Sequence, residues 1–477
     1  MKDVLIAGAG SAGIPCAIRA AQRGLTVLMI EKDSEAGGTL HITAGHLSAA
    51  GTQLQKEKGI EDSPDEHWKD IQRISRNTAD EVIAHKAVKL APSTIDWLQQ
   101  CGYIFHEKTP AIFYGHEAYG KPRTYFGAED YFGGPIMQPG KAVLKALLPL
   151  FEELVNDGKI RLHTRHSLVK INTEGTRVVS VEAKTGDTIK KFSAKNYVLT
   201  TGGYAANPDF FASHHPGKKL ISTARHTSTG DGIIAAMQPG GIFHNAEKYM
   251  ATLGGIEYLP GSGRVDFWQA WAKVSNSHDR KPREIYVNEH GLRFMNEHDL
   301  TVDERERIVM QQPNQRFFVV FSETALEAGP PLISQWNTLK FKEEAQKEKC
   351  CWTADSIEML AHKINVPVEN LMNTVKIFNE CVDNKSDSLF GRTCLEHKIE
   401  GAPYYAVLVY ASSLISFGGI KVNEQLQVIH QSGAAFTNLF AAGEILGAGA
   451  TSGNAFCGGM LLTPAISFGK WLGENVG

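Results

Sequence analysis

"KDVLIAGAGSAG", residues 2–13, is the stretch whose reading decides the fold. Lys2 to Ala7 reads as a short buried strand of β-branched and leucine side chains, running straight into Gly8, Gly10 and Gly13 at the G-x-G-x-x-G spacing. Gly8 permits a tight turn, Gly10 lets a pyrophosphate approach the backbone, and Gly13 lets helix and strand pack closely. A helix is predicted over residues 14–23, and its N-terminal N–H groups face the phosphates. After Gly24, "LTVLMIEK" is a second buried strand that closes on Glu31, eighteen residues beyond Gly13, where a carboxylate can accept hydrogen bonds from an adenosine ribose. A lone glycine motif is weak; a strand before it, a helix after it and an acid at the end of the next strand make a dinucleotide-binding unit.

Further along, "EKDSEAGGTLHITAGHLSAAGT", residues 31–52, favours FAD over NAD. Glu31-Lys32 followed by Gly37-Gly38 and Ala44-Gly45 would form a second backbone cradle where an NAD domain goes directly into another helix. "NYVLTTGGY", residues 196–204, adds a buried strand ending in Thr201-Gly202-Gly203 after a meander expected at residues 178–192. Near the end, "GEILGAGATSGNAFCGGM", residues 443–460, carries six glycines around one bulky ring, Phe456.

These motifs, in this order, resemble the fumarate reductase and succinate dehydrogenase flavoprotein superfamily from end to end. "GGTLHITAGHLSAAGTQLQKEKGIEDSP" is similar to its flavin loop, "STGDGIIAAM" to its TGDG element, "IYVNEHGLRFMNE" to its strand and R-F-x-N-E turn, and "SFGGIKVN" and "FAAGEILG" to its closing flavin segments. The resemblance implies an α/β fold: a Rossmann-like two-dinucleotide-binding flavoprotein domain, discontinuous over residues 1–246 and 412–477, with an inserted α+β capping domain over 247–411. It also implies FAD contacts at Gly8, Gly10, Ser11, Ala12, Gly13, Glu31, Lys32, Gly38, Thr39, Ala44, Gly45, Val169, Thr201, Gly202, Asp231, Phe417, Gly443, Glu444 and Leu462. The late glycines would return to the flavin after the cap, and a helix beginning between Gly458 and Ser467 would turn its N-terminus to the pyrimidine edge, where negative charge develops on reduction. Thr39 stands where relatives with covalent flavin carry the attaching histidine, so noncovalent FAD is expected; His41, two residues on, is the alternative attachment point.

Composition narrows the class. A chain of 477 residues exceeds the ~250–300 at which single cores stop growing, so two or more domains are expected. The 49 basic and 52 acidic residues are interspersed, with net charge -3, which argues against nucleic acid or an anionic membrane as partner. Seven cysteines without framework spacing, including adjacent Cys350 and Cys351, read as reduced thiols in a cytoplasmic protein with no metal site. The opening residues superficially imitate a signal peptide, but Asp3 interrupts the apolar run and the cofactor loop explains the glycines. No window approaches the ~20 apolar residues of a membrane span. The lysine-rich "KFKEEAQKEKCC" reads as a solvated helix face.

The departures from the family are as informative as the matches. The dicarboxylate enzymes hold their substrate with charged groups at four positions. Here the arginine of the last glycine-rich segment becomes Phe456, the histidine before M-G-G falls at Leu414 or Ile415, and the early cap histidine falls near Thr252. The arginine that follows R-F-V-N-E finds no match, Arg305 lying too far along. A buried carboxylate without its cations costs ~3–5 kcal/mol, so a dicarboxylate substrate is disfavoured and a less charged pocket is expected. "AEDYFGGPIMQPG" resembles the 3-ketosteroid dehydrogenase branch, which implies a proton-transfer role for Tyr131. That branch's second tyrosine has no match, the nearby positions being His298, Asp299 and Thr301.

The inferred chemistry is removal of hydrogen from adjacent carbons beside a carbonyl: a base, Tyr131 or His298, takes the acidic α proton while hydride leaves the β carbon for flavin N5. Backbone groups around Gly418 and Gly419 are candidate donors to the carbonyl oxygen, and His46 is placed to touch substrate. The favoured expectation is a FAD-dependent desaturase of a cyclic or compact ketone or oxo acid. In reverse the same site reduces an enone or enoate, and a flavin-binding protein without turnover is the alternative of another class. Electrons would pass to or from a diffusible partner: oxygen, a quinone or a redox protein.

Overall fold

The structure is a computed structural model that describes residues 1–128, 140–275 and 280–477. Parallel strands are buried on both faces and read as near-continuous apolar runs, as in Val4 to Ala7 of the Lys2–Ala7 strand and in the whole of Val27–Ile30. They pair in parallel with Val4 opposite Val27 and Ile6 opposite Met29. On its other side Lys2–Ala7 pairs with Ala194–Leu199, Ile6 facing Val198. The full sheet runs Gln427–Ile429, Ala435–Ala441, Ala194–Leu199, Lys2–Ala7, Val27–Ile30, Ile160–His163, so strands from both ends of the chain meet in one layer.

The first helix is Gly13–Gln22, and the last, Leu462–Asn475, packs against it. The contact is backbone on backbone: a Cβ at Gly469 would lie 2.0 Å from the Ala12 carbonyl oxygen. The expected meander is present as the antiparallel strands Ser167–Glu174, Arg177–Thr185 and Thr188–Phe192.

A second sheet is antiparallel and centres on Tyr404–Ser412. One edge of that strand pairs with Arg316–Ser322 along its length, and the other is shared by Cys351–Ala354 and Thr252–Gly255. The helices Ile357–Lys363 and Val368–Asn384 cover it with Leu360, Leu371, Val375 and Phe378. The R-F-x-N-E turn is pinned here by ion pairs, Arg293 reaching Glu297 at 2.7 Å and Asp387 at 2.9 Å. The charged run "DERER" lies in the helix Val302–Met310, opened by a capping box between Thr301 and Glu304, and turns Asp303, Arg305 and Glu306 inward. The lysine-rich run spans a helix, Thr338–Gln346, that buries Phe341, Glu344 and Ala345 and leaves its lysines outward.

Candidate functional site

Two glycines of the first loop do different work. A Cβ at Gly13 would lie 1.9 Å from the Gly8 carbonyl oxygen, so Gly13 exists for close packing. A Cβ at Gly10 would make only ordinary van der Waals contact, with the Cα of Gly38 at 4.0 Å, so the seam between the two loops carries no side chain at these positions; this seam, flanked by Ser11 and Ala12, is the candidate cofactor channel. At the end of the Val27–Ile30 strand, Glu31 accepts the Ala9 N–H at 2.7 Å and the Asp33 N–H at 2.8 Å, which fixes its carboxylate beside the channel. Lys32 donates to Asp231 at 2.7 Å and to Thr229, and Ser167, two residues before Val169, donates to Asp231 at 2.9 Å. Lys32, Val169 and Asp231, far apart in the chain, thus share one corner. Thr201, next to Gly202, keeps a buried hydroxyl without a partner.

The second cradle is tied to the first: the Gly37 N–H donates to the Ala9 carbonyl at 2.8 Å, and Arg225 donates to the Gly38 carbonyl at 2.8 Å. Thr39 is the second residue of a short helical turn, Gly38–His41, and Ala44 and Gly45 lead from it to His46. The Trp268 indole N–H donates to the Ile42 carbonyl at 3.1 Å and links this loop to the segment that follows the Thr252–Gly255 strand of the second sheet. From the far end of the chain, Gly443 comes up against Ala12. Glu444 accepts the N–H and the hydroxyl of Ser416, each at 2.9 Å, and burial pushes its carboxyl pKa up. Leu462 opens the last helix, and Gly419 pairs with His244 in a two-residue ladder. A seam between glycine loops without side chains at Gly10 and Gly38, an acid at one end and an orphaned hydroxyl at Thr201 fit FAD.

A sequence profile of the FAD binding domain family matches residues 3–461. The chain belongs to that family. The probable fumarate reductase Ifc3 of Shewanella frigidimarina (strain NCIMB 400) is 25% identical over 474 residues, 99% of this chain and 74% of that one. The vinyl phenol reductase of Lactiplantibacillus plantarum (strain ATCC BAA-793 / NCIMB 8826 / WCFS1) is 28% identical over 467 residues, 92% and 89% of the two chains. In fold, the 3-ketosteroid delta1-dehydrogenase of Sterolibacterium denitrificans superposes with a TM-score of 0.80 at 20% identity, over 100% of this chain and 99% of that one. The chain is therefore a FAD-dependent oxidoreductase acting on carbon–carbon double bonds, with the flavoprotein fold of the fumarate reductases and ketosteroid dehydrogenases.

Beside the flavin loop stands a wall of rings. His46 meets Phe113 at 4.2 Å and Phe126 at 4.6 Å, Phe113 meets His116 at 6.0 Å, His116 stacks on Phe456 at 5.0 Å, and Phe456 meets Phe417 edge-on at 5.6 Å. Phe456 is 3% exposed in a cluster with Met250, Phe417 and Ala448, bordered by Leu414 and Ile415. The family's arginine position and its histidine position therefore meet in an apolar patch. Desolvation, with His116 adding to it, lowers the His46 pKa to about 3; desolvation lowers that of His116 to about 4. Both rings are neutral at ordinary pH, and Nδ1 of His116 has no hydrogen-bond partner.

The cations nearby are taken. Arg307 grips Asp303 at 2.8 and 3.0 Å and the Asn454 carbonyl at 2.7 Å, and Arg76 also reaches Asp303. Arg305 donates to the carbonyl oxygens of Val274, Ser275 and His298. Thr252 starts its strand two residues after Met250. His298 lies elsewhere in the hydrogen-bond network, its ring engaged by Asp299 at 3.0 Å and Thr393 at 3.3 Å instead of by the ring wall. Tyr131 lies outside the described residues.

Sequence reasoning missed His116 and Glu117 of "FYGHEAYG", as well as Glu306 and Ser416. An aromatic-histidine-acid run between glycines is a weak signal, and Glu306 has none among three acids of one helix.

Proposed function

We propose that the protein reduces the C=C bond of a flat, uncharged substrate in which the alkene is conjugated with an aromatic ring or a carbonyl. The observation that carries this reading is Phe456 stacked on neutral His116, where the dicarboxylate enzymes place a guanidinium. A ring wall of this kind gives a planar substrate offset-stacked and edge-on contacts, each contributing ~0.5–1.5 kcal/mol beyond area burial. It offers a carboxylate no cation, since Arg305 and Arg307 are already engaged. The unpartnered Nδ1 of His116 is available to a substrate hydroxyl or carbonyl. Backbone groups at Gly418 and Gly419 remain the proposed donors to charge developing on the substrate.

Reduced FAD supplies hydride, and the chain's own work is to hold the alkene flat against it, exclude water and deliver a proton. Reduction takes precedence over desaturation because the two relatives at 25% and 28% identity are both named reductases, and a vinyl phenol is itself an uncharged aromatic alkene. In this reading residues 1–246 and 412–477 hold noncovalent FAD and residues 247–411 cap it. Electrons come from a diffusible donor, and the protein works in the cytoplasm. Among the described residues no helix is long and apolar enough to cross a membrane.

The test is anaerobic. Holoprotein reduced with dithionite is mixed with 4-vinylphenol, 2-cyclohexenone and fumarate, and return of the oxidised flavin spectrum is followed. Reoxidation by an uncharged alkene in preference to fumarate supports the reading; preference for fumarate overturns it.

A further inference from the structure

We propose that the buried carboxyl group of Glu306, acting through the Thr252 hydroxyl, is the internal acid that supplies the proton for alkene reduction; this rests on the function proposed above. Glu306 is 1% exposed on the inward face of the Val302–Met310 helix. It meets the Thr252 hydroxyl, and its Oε1 has no hydrogen-bond partner. Thr252 lies near the place where the resemblance puts the dicarboxylate enzymes' substrate-holding histidine, two residues from Met250 of the Phe456 cluster.

The charges around Glu306 do not neutralise it. Asp303 and Arg307 share its helix, but Arg307 is bound to Asp303 and to the Asn454 carbonyl, and Arg76 adds a second hold on Asp303. Glu117 faces it from the 111–120 segment, with one buried oxygen also unpartnered and Arg73 no nearer than 3.9 Å to the other. Burial, then repulsion from Asp303, holds the Glu306 carboxyl well above the usual carboxylate range, which favours its protonated form. The neighbouring histidines, neutral down to about 4, have no proton of this kind to give. A glutamine would satisfy Thr252 equally well without the cost of a buried ionisable group, which leaves the proton itself as the reason for an acid.

The balance closes. Hydride from reduced FAD brings both electrons and forms a C–H bond at one alkene carbon. The pair released from the C=C bond takes the hydroxyl proton of Thr252 at the other carbon. The Thr252 oxygen takes the Glu306 proton, leaving a carboxylate that is reprotonated from water before the next turnover.

Infrared spectra of the holoprotein at neutral pH should show the C=O stretch of a protonated carboxylic acid that Glu306→Gln lacks; an unchanged spectrum overturns the proposal. Dithionite-reduced Glu306→Gln should keep its FAD but reoxidise with 4-vinylphenol ~10²–10⁴-fold more slowly than wild type, the usual contribution of a positioned acid. Wild-type rates should fall as pH rises through the raised Glu306 pKa, and Glu306→Asp should restore part of the rate with a shifted profile. Thr252→Val should match Glu306→Gln, and Thr252→Ser should match wild type, so a folding defect at position 306 does not decide the matter. Wild-type protein that fails with every alkene overturns the functional reading and this proposal together. Reactive wild type with an equally fast Glu306→Gln or Thr252→Val overturns this proposal alone.

Discussion

The ring of Phe456 stacks on that of His116, with centroids 5.0 Å apart and planes inclined by 23°. Their chain positions are 340 residues apart, and the pairing replaces a cation with a neutral aromatic face. Phe456→Arg should leave FAD content unchanged, because the proposed cofactor site lies at the Gly10 and Gly38 loops. It should lower the rate with an uncharged alkene ~10-fold or more, as expected when a charge enters an apolar site without a partner. It should not create fumarate reduction, since Thr252 and Leu414 still lack the other charged groups. Stopped-flow reoxidation with both alkenes checks each half; unchanged kinetics would remove Phe456 from the substrate site.

Gly10 and Gly13 belong to one motif but should fail in different ways. Gly13→Ala drives a methyl to 1.9 Å from the Gly8 carbonyl and should destabilise the fold or prevent its recovery, as overpacking of ~1–3 kcal/mol or more does. Gly10→Ala puts its methyl at ordinary van der Waals distance, 4.0 Å, from the Gly38 Cα and should fold with a near-native apoprotein circular dichroism spectrum while losing most of its flavin. Full flavin content in purified Gly10→Ala would show that the channel is not the cofactor cradle.

Glu31 is held by the N–H groups of Ala9 and Asp33 and faces the adenosine end of the channel. Glu31→Ala removes a charged hydrogen-bonding group, an effect of ~1.5–3 kcal/mol, and so should weaken FAD binding roughly 10- to 100-fold. Titration of deflavinated protein with FAD, followed by fluorescence quenching, measures it directly. Affinity within twofold of wild type would contradict the assignment.

His67 is fully buried, with Nε2 on the Ser48 hydroxyl at 3.0 Å, and desolvation, reinforced by Arg123, lowers its pKa to about 3. The unfolded chain binds a proton below ~6.5 that the native state refuses, so stability present above the unfolded pKa is lost as pH falls from there towards the folded value. The loss is about 1.4 kcal/mol per pH unit, or ~2 kcal/mol by pH 5. His67→Gln can keep the Ser48 contact without titrating. Its Tm should drop less between pH 7 and pH 5 than that of wild type; an equal drop would assign the acid sensitivity to other groups.

The parts legible from sequence are those governed by neighbours along the chain. The turn at Gly8, the strand–helix contact at Gly13 and the acid at Glu31 sit within one βαβ unit, where backbone sterics fix both residue type and spacing. From them followed the dinucleotide site, FAD and the family. The loss of the dicarboxylate cations was also legible, because Phe456 and Thr252 stand inside recognisable motifs. What covers the space they vacate was not: His116 lies in no motif, and only the folded chain brings it onto Phe456. Glu306 is one of three acids in a nine-residue helix, and its sequence gives no reason to single it out. Burial, with Asp303 close by and the nearby arginines already committed, raises its pKa, since desolvation and proximity depend on what the rest of the chain places around a group.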